Sequence, residues 1–264
     1  MCVCVCVCTD PRVVFVENPH SRLSFDANRA HEADIEPALR ECFARLRRQC
    51  AGESGVTFEG VDGVRPVTFS GENVLLEPSS ESRWAELVAV LKLAAAQGIC
   101  AYQTATERVV AAVRAARPAG ASLMIIGLHD TSSQKMRTDG AIVVERPIKD
   151  RLPLLVNFGN LGDFRGEPRD ISRPVLCQGD DMRRVAAAWC EAFGYACDRS
   201  FPSPAEHACT EIVSFNRPYA GGYEVQAWAR RLRADGDLTT RVFQVEFERG
   251  TQFTCFTGTK VHIC

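Results

Sequence analysis

The feature that most constrains this chain is an alternation of short apolar runs with long amphipathic segments. Helical spacing of apolar residues spans 34–50, 83–120 and 180–197. The strand-like runs are VVFV (13–16), NVLLEP (73–78), SLMIIGLHD (122–130), LPLLVNFGN (152–160), EIVSFN (211–216) and TRVFQVEFE (240–248). Strands alternating with long helices predict an α/β fold with a mixed, largely parallel sheet.

Composition narrows the class of protein further. The chain has 264 residues, of which 46% are hydrophobic and 24% charged, and its net charge is −2. A balance this close to neutral gives no electrostatic basis for binding nucleic acid. We expect no apolar run to approach the ~20 residues of a membrane helix, and the N-terminus lacks the pattern of a secretory signal. We therefore expect a cytoplasmic protein with no nucleic-acid or membrane partner.

The chain begins MCVCVCVC, which accounts for four of its 13 cysteines. This stretch has three interpretations: a metal or disulfide segment, a strand of period two, or a translated TG repeat, since TGT-GTG encodes Cys-Val. The translated repeat explains the strict alternation with the fewest assumptions. It predicts that residues 1–9 form a disordered, dispensable leader and that residues 10–264 form a single domain.

The other cysteines show no CxxC spacing, so a disulfide framework or a cysteine metal site is disfavoured. Those in helix-like segments are expected to pack as small hydrophobic side chains in a reducing compartment; they are Cys42, Cys190 and Cys197. A cysteine-centred metal or redox protein is the weakest of the functional hypotheses.

Two of the five histidines, His20 and His129, follow apolar strand runs. The carboxyl ends of strands in open α/β sheets are where sites are built. Catalytic zinc is typically bound by three protein ligands, often two imidazoles and one carboxylate. Position alone does not choose among the carboxylates near His20, which are Glu17, Asp26, Glu32 and Asp34.

Two further segments carry residues of interest. In TRVFQVEFE, period two places Glu246 on the face of Gln244, either as a candidate general base in an apolar setting or on the solvated face of an edge strand, and the pattern alone favours the solvated edge strand. In PYAGGYEV (218–225), the paired glycines indicate a turn before a strand or a close approach of backbone amides to a ligand.

Five segments, taken in order, resemble the N-formylglutamate amidohydrolase family from about Val13 to about Glu248, with gaps. They are FVENPHSRLSF, AHEADIEPAL, MIIGLHDTSS, FNRPYAGGYEVQAW and RVFQVEFER. The family is similar to zinc carboxypeptidases. The resemblance therefore implies a three-layer α/β/α, phosphorylase/hydrolase-like fold, and a hydrolase of a small N-acyl (formyl) amino acid or related amide.

The resemblance also implies roles for individual residues. It makes Glu246 the general base of a site holding one zinc ion per chain, with Asp34 and Glu32 both open as the carboxylate ligand. The implied metal ligands are His20, Asp34 and His129, and the implied substrate-binding residues are Asn216, Arg217, Gly221 and Gly222.

The chain departs from the family where the family carries arginines. ENVLLEPSS (72–80) replaces a segment with two arginines and an asparagine, and Val225–Trp228 replaces Thr-Arg-His-Tyr. Arginine suits carboxylate recognition because its planar fork is bidentate. The substitutions therefore favour a substrate other than N-formylglutamate. The alternative function is an inactive relative that binds a ligand or partner.

Overall fold

The computed structural model describes residues 5–7, 14–16, 35–58, 61, 63–64, 66–67, 73–131, 134–136, 142–170, 175–196 and 207–248. The chain divides into two compact units, with the boundary between Arg117 and Pro118. The expectation of a single domain over residues 10–264 stays a prediction.

The N-terminal unit opens with two short strands. β1 (Val5–Val7) pairs antiparallel with β2 (Val14–Val16). The alternation of cysteine and valine thus has the strand structure that its period of two allows, where a disordered leader was expected. That residues 1–9 are dispensable for folding stays a prediction.

Three helices form the core of the N-terminal unit. They are α1 (Ile35–Cys50), α2 (Glu81–Gln97) and α3 (Ile99–Ala116). Gly98 separates α2 from α3, and the Ser80 hydroxyl caps α2 by accepting a hydrogen bond from the Arg83 backbone N–H. The buried core side chains of these helices are Leu39, Phe43, Trp84, Val88, Leu91, Ala95 and Ile99.

The prediction of a strand at NVLLEP (73–78) is wrong. Asn73 forms only an isolated bridge with Val67, and no strand follows it. Leu76 is 80% exposed, so this short apolar run has no sheet to pack into before the helix cap at Ser80. Local β propensity has no effect without a neighbouring strand.

Glu81–Ala116 together form a 36-residue helical stretch that is long and apolar enough, by length and composition alone, to cross a membrane. This differs from the expectation that no segment qualifies. Core helices of soluble proteins meet the same criterion, and the side chains from Trp84 to Ile99 that face α1 are buried. The absence of a membrane partner therefore stays a prediction.

The C-terminal unit is built on a four-stranded sheet of order β3-β8-β6-β7. Its strands are β3 (Met124–Thr131), β6 (Val156–Gly159), β7 (Val213–Phe215) and β8 (Arg241–Glu248). β3 runs parallel to β8 and β6 parallel to β7, while β8 and β6 are antiparallel. A separate antiparallel pair is formed by β4 (Gln134–Met136) and β5 (Ile142–Glu145). The expected α/β fold with a mixed, mostly parallel sheet is confirmed.

Two helices pack on opposite faces of this sheet. α4 (Gly179–Ala192) contributes Met182 and Ala186 to a core with the sheet residues Val156, Phe158, Val213, Phe215, Phe243, Val245 and Phe247. α5 (Tyr223–Ala234) packs Val225, Ala229 and Leu232 against Val242. Because side chains alternate along a strand, Val242 and Phe243 lie on opposite faces, so α5 covers the face opposite α4.

Two features of these helices differ from expectation. Tyr223–Ala234 is a helix, although the paired glycines before it indicated a turn leading into a strand. Cys190 on α4 is disulfide-bonded, where a free thiol was expected. Cys42 and Cys177 are buried and outside any disulfide, as small hydrophobic cysteines should be.

Candidate functional site

A row of polar residues crosses the four strands on the face that α5 covers. His129 on β3 lies in register with Glu246 on β8, and Glu246 lies in register with Asn157 on β6. Asn157 is in turn the partner of Ser214 on β7. Residues in register on adjacent strands project from the same face at a spacing of about 4.8 Å. His129 and Glu246 are therefore direct neighbours, as a shared site requires.

β8 is a central strand, so the solvated-edge interpretation of Glu246 is wrong. Glu246 is 8% exposed and Gln244 only 2%, because β3 and β6 flank this strand and α5 covers its polar face. His129 lies within β3 rather than in the loop beyond it.

The segment after β7 crosses this polar face and is fixed there by Asn157. The Asn157 side chain donates to the Tyr219 carbonyl at 2.7 Å and accepts from the Arg217 backbone N–H at 3.1 Å. The Ser214 hydroxyl donates to the Asn157 side-chain oxygen at 2.9 Å. A buried asparagine bonded this fully holds the crossing segment in one conformation.

The paired glycines let this segment lie directly on the sheet. A Cβ on Gly159 would lie 2.5 Å from the Gly221 nitrogen, so no side chain fits at residue 159 beneath this crossing. Gly221 has φ +114°, a conformation that suits glycine. The chain then enters α5 at Gly222, whose N–H donates to Gln244 Oε1 at 2.6 Å.

Gln244 joins the start of α5 to the candidate general base. Its Oε1 accepts from Gly222, and its Nε2 donates to Glu246 Oε1 at 2.5 Å. These two bonds fix the orientation of the amide and leave the Glu246 carboxylate with a defined position beside His129.

The first turn of α5 also places Glu224 against His129. Glu224 Oε2 lies 3.3 Å from His129 Nε2, and the side chains are 21% and 11% exposed. The Nε2 atom is buried and makes no hydrogen bond. Buried polar atoms in proteins are nearly always hydrogen-bonded, so this nitrogen is a candidate position for a bound water or ion.

Gly127 lies directly beneath the side chains of His129 and Glu224, and we call this position the floor of the site. It lies two residues before His129 on the same face of β3, and a Cβ there would meet Glu224 Oε2 at 3.3 Å and His129 Nε2 at 3.4 Å. The absent side chain is what lets both donor atoms approach the strand.

A second polar cluster adjoins Glu246. Arg146 donates to the hydroxyls of Tyr219 and Thr131, each at 3.0 Å. Burial raises the pKa of Tyr219 and the Glu246 charge acts in the same direction, while the Arg146 charge opposes them. The Tyr219 hydroxyl therefore stays protonated at neutral pH and available as a hydrogen-bond donor.

The residues that the resemblance implied for substrate binding have structural partners. The Asn216 amide donates to Asn160 Oδ1 at 2.8 Å and to the Asp163 carbonyl at 2.6 Å, which uses both of its N–H groups. The Arg217 guanidinium lies 3.4 Å from Glu211. Gly221 and Gly222 shape the crossing to α5. Their contact with a substrate stays a prediction.

The other implied metal ligands, His20 and Asp34, lie outside the described residues, as do Glu17, Asp26 and Glu32. Within the ranges that the structure describes, no group of three or more His, Cys, Asp or Glu side chains could hold a metal ion. The described part of the chain thus supplies two adjacent donor atoms, His129 Nε2 and Glu224 Oε2.

No family model, curated sequence or solved structure matches this chain. The resemblance to N-formylglutamate amidohydrolases therefore stays a hypothesis that depends on the residues themselves.

Several residues of the site were not identified from sequence. Asn157 stands out in retrospect as the polar residue inside the apolar run LPLLVNFGN, a usual sign of a buried hydrogen-bonding position. Gly127 interrupts MIIGLH in the same way. Glu224 and Tyr219 gave no such signal, because their role depends on where α5 begins.

Proposed function

We propose that this protein is a metal-dependent amidohydrolase whose site lies on the polar face of the β3-β8-β6-β7 sheet. The observation that carries the proposal is the register pairing of His129 with Glu246, together with the buried Nε2 of His129 that makes no hydrogen bond. A metal ligand and a general base must both lie next to the reacting bond of the substrate. Adjacent in-register strands bring two side chains that close together.

The donor atoms present fit zinc, one ion per chain. Imidazole nitrogen and carboxylate oxygen are both ordinary zinc ligands, and the glycine floor at Gly127 leaves space for them beside the strand. His129 would hold the ion, with His20 and Asp34 as the further ligands that the resemblance implies. When bound, zinc polarises a carbonyl oxygen and lowers the pKa of water.

Glu246 then moves the proton. Its carboxylate takes the proton of the attacking water and delivers it to the leaving amide nitrogen, so that one base serves both steps. Gln244 holds Oε1 of this carboxylate by its 2.5 Å hydrogen bond. Tyr219, protonated because its pKa is raised, is a donor near Glu246 for the oxygen of the scissile carbonyl.

The proposed substrate is a small N-acyl (formyl) amino acid or related amide. The finer fold assignment belongs to the same proposal: helices on opposite faces of the sheet support a three-layer α/β/α, zinc-carboxypeptidase-like hydrolase. A cytoplasmic location is part of it as well. The family's arginine-bearing segments are replaced in this sequence, and Arg217 lies beside Glu211. The proposed substrate is therefore not restricted to an acidic amino acid.

The test is hydrolysis of a panel of N-formyl and N-acetyl amino acids with neutral, acidic and basic side chains, using the full chain supplied with zinc. We expect turnover that is lost with chelator, in His129→Ala and in Glu246→Gln. Glu191→Gln, an exposed carboxamide substitution on α4, is the matched control and should keep wild-type activity. Zinc binding without turnover of any substrate would favour the alternative, a relative that binds a ligand without catalysis.

A further inference from the structure

We propose that Glu224 is a carboxylate ligand of the same metal ion as His129. The inference rests on the proposed function, and it assigns the carboxylate ligand to Glu224 in the first turn of α5 in place of Asp34, so that three protein ligands leave the fourth position open for water.

The separation of the two donor atoms matches that of ligands sharing one ion. Zinc binds imidazole nitrogen at about 2.0–2.1 Å and carboxylate oxygen at about 2.0–2.2 Å, so two ligands at a tetrahedral angle lie about 3.3–3.5 Å apart. His129 Nε2 and Glu224 Oε2 are 3.3 Å apart. A hydrogen bond between these atoms would be shorter, at about 2.7–3.0 Å, and aligned.

The surroundings explain why the pair has this geometry. Nε2 of His129 is buried and makes no hydrogen bond although a carboxylate oxygen is adjacent, which is the arrangement of two donors that face a third atom. Gly127 supplies the space, since a Cβ at that position would press on both donor atoms at once.

The position of Glu224 is fixed by the backbone rather than by a flexible loop. Gly222 immediately precedes α5 and is anchored to Gln244 on β8, so the first turn of the helix is registered against the sheet. Glu224 lies in the first turn of α5, and a helix N-terminus is a favourable place for a carboxylate. His129 and Glu224 thus hold an ion between β3 and α5.

The experiment measures binding of cobalt(II), used as a spectroscopic substitute for zinc, to the metal-free full chain. The variants are Glu224→Gln, His129→Ala and the control Glu191→Gln, each checked for folding by circular dichroism and thermal unfolding. Glutamine keeps the size and hydrogen-bonding capacity of Glu224 but is a poor ligand. Loss of a residue that only orients a ligand costs about 10–100-fold in affinity.

We expect Glu224→Gln to weaken cobalt binding by more than about 100-fold and to change the visible spectrum of the remaining bound cobalt. Glu191→Gln should bind as the wild type does. A bound-cobalt spectrum that is unchanged in Glu224→Gln overturns the ligand assignment, whatever the affinity, and leaves the amidohydrolase proposal standing. A wild-type chain that binds neither cobalt nor zinc overturns the proposed function itself.

Discussion

Gln244 and Glu246 lie two positions apart on β8, and the amide nitrogen of the first donates to the carboxylate of the second at 2.5 Å. The same amide accepts the Gly222 N–H through its oxygen. One buried side chain therefore sets both the orientation of the candidate base and the entry of α5 onto the sheet.

Gln244→Met keeps the size of the side chain and removes both hydrogen bonds. We expect kcat to fall by about 10-fold with little change in KM, a smaller loss than the ~10²–10⁴-fold that removing a general base causes. The unsatisfied Gly222 N–H should also lower the free energy of unfolding by about 1–3 kcal/mol. Steady-state kinetics and urea denaturation measure the two effects. An unchanged kcat would show that Gln244 does not position Glu246.

Gly127→Ala tests the floor beneath His129 and Glu224. The added methyl group must displace the carboxylate or the imidazole by a few tenths of an ångström, because it would meet them at 3.3 and 3.4 Å. We expect weaker zinc binding with a melting temperature close to that of the wild type. Leu128→Ala, one residue away on the opposite face, is the control and should leave zinc affinity unchanged. Equal affinity in Gly127→Ala and the wild type would contradict this role.

Asp237→Asn should make the free energy of unfolding less dependent on pH in the acidic range. Burial favours a higher pKa for Asp237, but hydrogen bonds from Thr240 and Thr239 outweigh it and hold the pKa well below the ordinary 3.8. A carboxyl group with a lowered folded-state pKa stabilises the protein above its unfolded pKa, and this contribution disappears as the pH falls. We expect Asp237→Asn to lose about 1–3 kcal/mol at pH 7 and progressively less below about pH 4.

Urea denaturation of both proteins across pH 2–7 measures that difference. A gap between wild type and Asp237→Asn that stays constant down to pH 2 would contradict the proposed origin of the stabilisation. The turn matters for the site because Thr240 immediately precedes β8, which carries Gln244 and Glu246.

Deletion of residues 1–9 tests the leader. β1 and β2 are three residues each, and an isolated two-stranded hairpin contributes little stability. We expect the truncated chain to fold and to melt within a few degrees of the full chain by thermal denaturation. A drop of many degrees would show that the Cys-Val strand is part of the folded unit.

The pairing of His129 with Glu246 was partly accessible from sequence. Apolar runs bounded by turn signals identify β3 and β8, and the period of two places Glu246 and Gln244 on one face. The strand order is not encoded locally, because β3 and β8 become neighbours only through tertiary pairing. For the same reason, an edge strand and a central strand could not be distinguished from the pattern of β8 alone.

The position of Glu224 beside His129 could not be predicted from the sequence, for a different reason. Gly221-Gly222 is equally typical of a turn into a strand and of the entry to a helix, and only the helix brings residue 224 to His129. NVLLEP shows the converse error, since it has strand composition but no strand to pair with among the described residues.

The strand order described for the C-terminal unit also determines when the pair formed by His129 and Glu246 can assemble during folding. Among the described strands, β3 pairs with β8 alone, and the partners His129 and Glu246 are separated by more than a hundred positions along the chain. Until the last of these four strands has been synthesised and inserted, β3 lacks its partner among the described strands of the sheet. The pairing of His129 with Glu246 should therefore form in a single late folding event, since closing so long a loop is a slow step.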